Sequence, residues 1–272
     1  MIFDGRAFAR EIEQQVNYKV RNLVKKPRIV SVLVGDDPSS ELYTRLKKQA
    51  AERVGIVFEV VRLESGFSSD QNQGLGSRIK EIGEREDVTG VMVQLPLPGV
   101  SRKDTQEIVQ VIPLEKDVDG LRWEESGIKP ATVRGILSIV DEIATGKTKF
   151  VVLGSRGAVG LPLTHFLREM GKEVIEVESD TPEPTRRVLV GEVVISCVGK
   201  AGLVTEEMVR DGVVAIDVGM SEVEGKVVGD MTQGVYDKAS MAVPVPGGVG
   251  PVTIASLMRN AWELADKSGT GK

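Results

Sequence analysis

The chain has 272 residues, enough for two domains of ordinary size or one large one. Hydrophobic residues make up 41% and charged ones 28%, the balance of a globular protein with a real core, and a net charge of −5 without a basic tract argues against nucleic acid as a partner. One cysteine, Cys197, excludes an intrachain disulfide and a cysteine-rich metal site. The single histidine, His165, argues against a histidine zinc site and a Ser-His-Asp triad, so no metal is expected. His165 falls in an apolar helical run, Leu161 to Leu167, which assigns it a structural role. Acid–base work then falls to Lys, Tyr, Asp or Glu. The amino terminus carries no signal-peptide block, and no run approaches the roughly 18 apolar residues of a membrane span. The expectation is a cytoplasmic protein without a membrane partner.

Helical periodicity runs from about Ala7 to Val24, marked by Phe8, Ile12, Val16, Val20 and Leu23. A strand, Ile29 to Val34, and a turn, Gly35 to Pro38, lead into a second helix that stops at Gly55. Ser39 or Ser40 is its expected cap, and Leu42, Leu46 and Ala50 its expected apolar stripe. Tyr43 and Lys47, four apart, stand on one helical face, although a surface pair is the commoner meaning of that spacing. A strand at Ile56 to Val61, a helix from about Gln71 to Ile82 and a strand at Gly90 to Leu95 follow. This alternation predicts a parallel sheet, whose strand tips gather ligands. That rule brings the Gly35 turn and Gln94 together, with a backbone-capping amide as the competing reading of Gln94.

A helix from Lys103 to Val111 leads to the charged turn Pro113 to Leu121, read as a domain boundary or a solvated loop. The strand Lys149 to Leu153 then runs into Gly154-Ser155-Arg156-Gly157-Ala158-Val159-Gly160. Glycines at such a turn let backbone amides approach a pyrophosphate, though a plain strand-to-helix turn competes. The next strand, Glu173 to Glu178, ends in an acid where ribose hydroxyls are read. Strands Val193 to Val198 and Val213 to Val218 complete a Rossmann-like series, each followed by a glycine, Gly199 and Gly219. Finally Val243 to Thr253, rich in proline and glycine, precedes an amphipathic helix with Ile254, Leu257, Met258, Ala261 and Leu264. The tail Ser268 to Lys272 reads as disordered.

Four stretches in order closely resemble the bifunctional methylenetetrahydrofolate dehydrogenase/methenyltetrahydrofolate cyclohydrolase family. Val34 to Ser40 with Tyr43 and Lys47 is similar to its V-G-x-x-x-x-S-x-x-Y-x-x-x-K signature. Val93 to Pro98 is similar to V-Q-L-P-L-P, Lys116 to Gly120 to K-D-V-D-G, and Pro244 to Pro251 reproduces P-V-P-G-G-V-G-P. The resemblance implies a two-domain α/β fold with a folate cleft. Residues 1–119 would form a catalytic, folate-binding domain, with the carboxyl-terminal helix (252–272) packed back on it. Residues 120–251 would form a Rossmann-like nicotinamide-binding domain. It implies a homodimer acting on tetrahydrofolate one-carbon derivatives in one-carbon metabolism: oxidation of methylenetetrahydrofolate with NADP, or NAD, then hydrolysis of the methenyl product to 10-formyltetrahydrofolate.

The resemblance also implies roles. Lys47 would be the acid–base group of the hydrolysis, Gln94 its hydrogen-bond partner, Tyr43 a platform for the substrate and Asp119 an acceptor for the pterin N–H groups. Val93, Leu95, Pro246, Gly247 and Gly248 would complete the folate site. Gly154, Ser155, Arg156, Gly160, Ser179, Gly199 and Met220 would hold the cofactor. Three departures stand out. The family's G-R-S-x-x-V-G-x-P has its basic residue one place later here, at Arg156. Its H-S-K-T, which helps hold the NADP phosphate, reads Glu178-Ser179-Asp180-Thr181, which keeps NAD open beside the family's NADP. Its P-C-T-P-x-G reads Pro130-Ala131-Thr132-Val133-Arg134-Gly135. Short-chain dehydrogenases also use Tyr-xxx-Lys, but there the pair follows the nucleotide turn, whereas here it precedes Gly154 by more than a hundred residues. A dehydrogenase with weak or absent cyclohydrolase activity and a non-catalytic folate or nucleotide binder remain as alternatives.

Overall fold

A computed structural model describes residues 1–64 and 69–269. The chain forms two compact units, one of Met1–Ala9 with Thr132–Thr253, the other of Arg10–Ala131 with Ile254–Lys272. Residues 1–9 group with 132–253, and residues 120–131 with the other unit. Backbone pairing accounts for both: Phe3 N–H donates to Ala242 O at 2.8 Å, and Ala131 N–H donates to Asp119 O at 3.1 Å.

In order the elements are α1 (Gly5–Arg21), β1 (Arg28–Val34), α2 (Pro38–Val54), β2 (Val57–Leu63), α3 (Ser69–Glu84), β3 (Gly90–Val93), α4 (Arg102–Val109), α5 (Trp123–Ser126) and α6 (Ala131–Ile143). Then come β4 (Lys149–Leu153), α7 (Gly160–Glu169), β5 (Glu173–Val177), α8 (Pro184–Leu189), β6 (Val193–Ser196), β7 (Val214–Asp217), β8 (Ser221–Val223), β9 (Lys226–Val228), α9 (Gln233–Lys238), β10 (Met241–Val243) and α10 (Val249–Gly269). The α6 and α9 helices and the β8–β9 hairpin have no counterpart in the sequence expectation. Residues 268 and 269, expected to be disordered, continue α10, while 270–272 lie outside the described residues. Among the described residues no helix is long and apolar enough to cross a membrane.

The sheet of the Arg10–Ala131 unit has the order β2-β1-β3, with both pairs parallel. The strand order reverses between β2 and β3, so a switch point lies at the carboxyl ends of β1 and β3. Val30, Val32 and Val34 of β1 and Val91 and Val93 of β3 pack with Leu75, Ile79, Ile82, Ile108 and Ile112 into one core. Side chains alternate across a strand, so Met92 and the following Gln94 face the opposite side. Gln94 lies one residue past β3, although its N–H still donates to Val32 O at 2.9 Å.

The other unit carries a five-stranded sheet, β10-β7-β6-β4-β5, parallel at every pairing. Its switch point lies between β4 and β6, where Gly154 and Cys197 meet: a Cβ on Gly154 would stand 3.0 Å from Cys197 O. The strands β5 and β6 end one and two residues earlier than expected, which leaves Glu178 and Cys197–Val198 in the loops at the strand tips.

Candidate active site

The helix α2 does not bury the face that its leucines suggest. Leu42 and Leu46 are 42% and 37% exposed, whereas Ser40, Thr44, Lys47, Ala50, Ala51 and Val54 are buried. The helix is capped by Asp37 rather than a serine: its Oδ2 accepts from Ser40 N–H at 2.8 Å. Gly55 ends it in the left-handed conformation at φ 83°. Small side chains at Ser40, Thr44, Ala50 and Ala51 set the helix close to the sheet, and Lys47 is carried inward with them.

There Lys47 Nζ donates to Gln94 Oε1 at 2.9 Å. Gln94 is itself oriented, because its Nε2–H donates to Leu95 O at 2.9 Å. A carbonyl can only accept, so that bond directs the amide oxygen toward the lysine. Burial pushes the Lys47 ammonium below the ordinary lysine range, and the nearby Asp119 carboxylate opposes this without overcoming it. Asp119 shifts the opposite way: burial and then the neighbouring Asp117 raise it, while Lys47 pulls it down. Tyr43, one turn before Lys47, is half-buried, and desolvation pushes its phenol up.

The loop that presents Asp119 is pinned on both sides. Asp117 is fully buried and accepts from Leu121 N–H at 2.9 Å, Arg122 N–H at 2.8 Å and Ser126 Oγ–H at 3.2 Å. Val118 is buried against Gly90, and its carbonyl accepts from Asn260 of α10 at 2.8 Å. Asp117 therefore serves the turn, which leaves Asp119 for the lysine. Val93 does not line this site with its side chain, which is 1% exposed in the core on the opposite face of β3. Leu95 is partly exposed just beyond. A polar amine held on a fixed amide beside a carboxylate is suited to moving protons.

Pro246, Gly247 and Gly248 belong to the other unit. Gly247 has a φ of 102° and open space where a Cβ would stand, whereas Gly248 closes the turn by donating to Pro244 O at 2.9 Å. In the glycine-rich turn, Gly154 has a φ of 75°. A Cβ on Gly160 would collide with Gly154 O, so the close return of the chain there requires glycine. Ser155 is buried, and its Oγ sits 2.7 Å from Glu178 Oε1 and 3.0 Å from Glu176 Oε2. Glu178 Oε1 also accepts from Arg156 N–H at 2.7 Å. Ser179, Gly199 and Met220 are exposed at neighbouring strand tips. His165 lies on the exposed face of α7, 3.2 Å from Glu169, and not within the core.

Two buried acids escaped the sequence reading. Asp230 Oδ2 accepts from Ser196 Oγ–H at 2.6 Å and Val198 N–H at 2.8 Å, and its Oδ1 from Lys200 N–H at 2.7 Å. Asp217, at the end of β7, accepts from Asp230 N–H at 3.0 Å, Met231 N–H at 2.9 Å and Tyr236 O–H at 2.7 Å. Burial pushes Asp217 up to about 6, even against these bonds. Together they hold the loops after β6 and β7, including Gly199. The signal was present for Asp217, a polar residue closing an apolar strand as Gln94 does.

The class defined here is a two-unit α/β enzyme, with a buried lysine held on an amide in one unit and a dinucleotide-type sheet in the other. Residues 3–119 match the model of the tetrahydrofolate dehydrogenase/cyclohydrolase catalytic domain, and residues 130–269 that of the corresponding NAD(P)-binding domain. The chain belongs to the tetrahydrofolate dehydrogenase/cyclohydrolase family. It is 40% identical to the bifunctional protein FolD of Lactobacillus gasseri over 280 residues, covering 98% of each chain. The crystal structure of the bifunctional dehydrogenase/cyclohydrolase from Campylobacter jejuni superposes with a TM-score of 0.90 at 30% identity, covering 98% of this chain and 99% of that one. The Trypanosoma brucei enzyme, solved with NADP and an inhibitor, gives 0.90 at 30% identity, covering 100% and 99%.

Proposed function

We propose that the chain oxidises methylenetetrahydrofolate to methenyltetrahydrofolate with a nicotinamide dinucleotide, NADP or NAD, and hydrolyses the product to 10-formyltetrahydrofolate. The observation that carries the second activity is the buried Lys47 held at 2.9 Å on an oriented Gln94. As a neutral amine Lys47 takes a proton from the water that adds to the methenyl carbon. It returns that proton to the ring nitrogen as the carbon–nitrogen bond breaks, and the net hydrolysis releases one proton. Gln94 positions the amine, Asp119 accepts from the pterin N–H groups, and Tyr43 packs on the substrate.

The strand tips of the other unit suit a dinucleotide. The turn from Gly154 to Gly160 keeps side chains away from the backbone, with a carboxylate, Glu178, at the tip of the adjacent strand. Ser155, Arg156, Ser179, Gly199 and Met220 would hold it there. When bound, a nicotinamide supplies the two-electron acceptor of the oxidation.

We also read 1–119 with 252–272 as the catalytic domain, 120–251 as the cofactor domain, and the enzyme as a cytoplasmic homodimer. The exposed leucines of α2 supply apolar surface for such an assembly. Sedimentation of the purified protein checks the dimer, and a monomer at micromolar concentration refutes it. For the activities, methylenetetrahydrofolate is supplied while reduced cofactor and the methenyl intermediate are followed together. Absence of reduced cofactor would sink the dehydrogenase, and accumulation of methenyl product at the uncatalysed hydrolysis rate would sink the cyclohydrolase.

A further inference from the structure

We propose that Glu178 and Asp180 make this chain selective for a dinucleotide with a free ribose 2′-hydroxyl, NAD, over one with a 2′-phosphate, NADP. The inference rests on reading this unit as nicotinamide-binding. Glu178 directly follows β5, the strand beside the glycine-rich turn of β4, which is where an acid reads the adenosine ribose in sheets of this kind. Its carboxylate is fixed through one oxygen only: Oε1 takes the hydrogen bonds from Ser155 Oγ and Arg156 N–H, each 2.7 Å long. Oε2 accepts no hydrogen bond from the described residues. The strand tip therefore presents a held carboxylate oxygen, an acceptor for a sugar hydroxyl and a repulsive neighbour for a phosphate.

The cations at this corner are already engaged. Arg156, the residue that could answer a 2′-phosphate, pairs with Asp180 at 3.1 Å. Arg168 pairs with Glu176 at 2.6 Å. Three carboxylates, Glu176, Glu178 and Asp180, thus face two guanidinium groups. A phosphate monoester brings a further charge of about −1.5 to −2. To be accepted it must share Arg156 with Asp180 and approach the Glu178 carboxylate, whereas a ribose hydroxyl needs neither. The backbone supports this placement, since Glu178 N–H donates to Thr181 Oγ1 at 2.7 Å and fixes the loop that carries Asp180.

Titration calorimetry of the full chain with NAD and with NADP, at low salt, tests the selectivity without reference to turnover. NAD should bind at least about tenfold more tightly, the order expected from one partly screened unit-charge repulsion at a surface. Asp180→Lys, at an exposed side chain, should free Arg156 and tighten NADP by about tenfold or more, with NAD changing by less than about threefold. Equal or tighter binding of NADP by the natural chain overturns the proposal, as does an unchanged ratio in the variant. If Asp180→Lys fails to fold, Asp180→Asn takes its place with the same direction expected. Binding of neither dinucleotide is a different failure: it removes the nicotinamide reading of the unit, and the proposal with it.

Discussion

Lys47 Nζ and Gln94 Oε1 stand 2.9 Å apart, on a helix and a strand tip separated by 47 residues of chain. The bond joins the two sides of the switch point in the smaller sheet, and Gln94 has no freedom to turn its amide away. Proton transfer by a positioned group is worth about 10²–10⁴-fold. Lys47→Met should therefore lower methenyl hydrolysis by about that factor while the variant still binds folate. Single-turnover hydrolysis measures it, and a normal rate refutes the role assigned to Lys47.

The direction of the Lys47 shift sets a pH dependence. With the neutral amine as the proposed base, hydrolysis should rise with pH and level off below 10.5, the ordinary lysine value from which burial lowers this group. A limb centred at or above that value overturns the assignment. Stability follows the same sign. The unfolded chain binds the proton more tightly, so the cost of the buried ammonium is fully present below the folded pKa and fades as pH rises toward 10.5. Lys47→Met should be more stable than the natural chain at neutral pH, and urea unfolding would show the reverse if the lysine is not desolvated.

Asp217 gives a second, opposite slope. Its folded pKa of about 6 lies above the ordinary 3.8, so the stability it contributes is fully present below 3.8 and lost as pH rises through 6. A difference of roughly two units corresponds to about 3 kcal/mol. Asp217→Asn removes this slope along with some hydrogen bonding. Comparing pH 4 with pH 7 cancels the second effect, and the variant should gain roughly 2 kcal/mol at the higher pH relative to the natural chain, since part of the loss has already occurred at pH 4. Equal pH dependence in both proteins would refute the shift.

Gly160→Ala tests the turn after β4. The added methyl would meet Gly154 O, a backbone atom that cannot rotate away. Overpacking of this kind costs about 1–3 kcal/mol, read as a lower denaturation midpoint. An unchanged midpoint would show that the turn has room to spare.

The alternation of strands and helices was legible because it is local: apolar runs of strand length, glycine turns and periodic helices each announce themselves. Both parallel sheets follow from that alternation, and so does the approach of the Gly35 turn to Gln94. The faces were less legible. Leu42 and Leu46 read as the buried stripe of α2, yet that helix buries Ser40, Thr44 and Lys47. Small residues win there because they permit close approach to the sheet, a choice made by the partner surface and not by the helix. Strand alternation likewise turns the Val93 side chain into the core and Gln94 to the opposite face.

Spacing and strand-tip position in the sequence set out the Tyr43–Lys47 pair, Gln94, the glycine-rich turn and Glu178, while Asp119 and Asp180 stood out only through the family resemblance. Only the tertiary structure decided that Lys47 is buried, that Asp117 serves the turn while Asp119 is coupled to the lysine, and that Asp180 occupies Arg156. Those outcomes depend on desolvation and on which charges meet across elements distant in the chain, and neither is encoded in any single stretch.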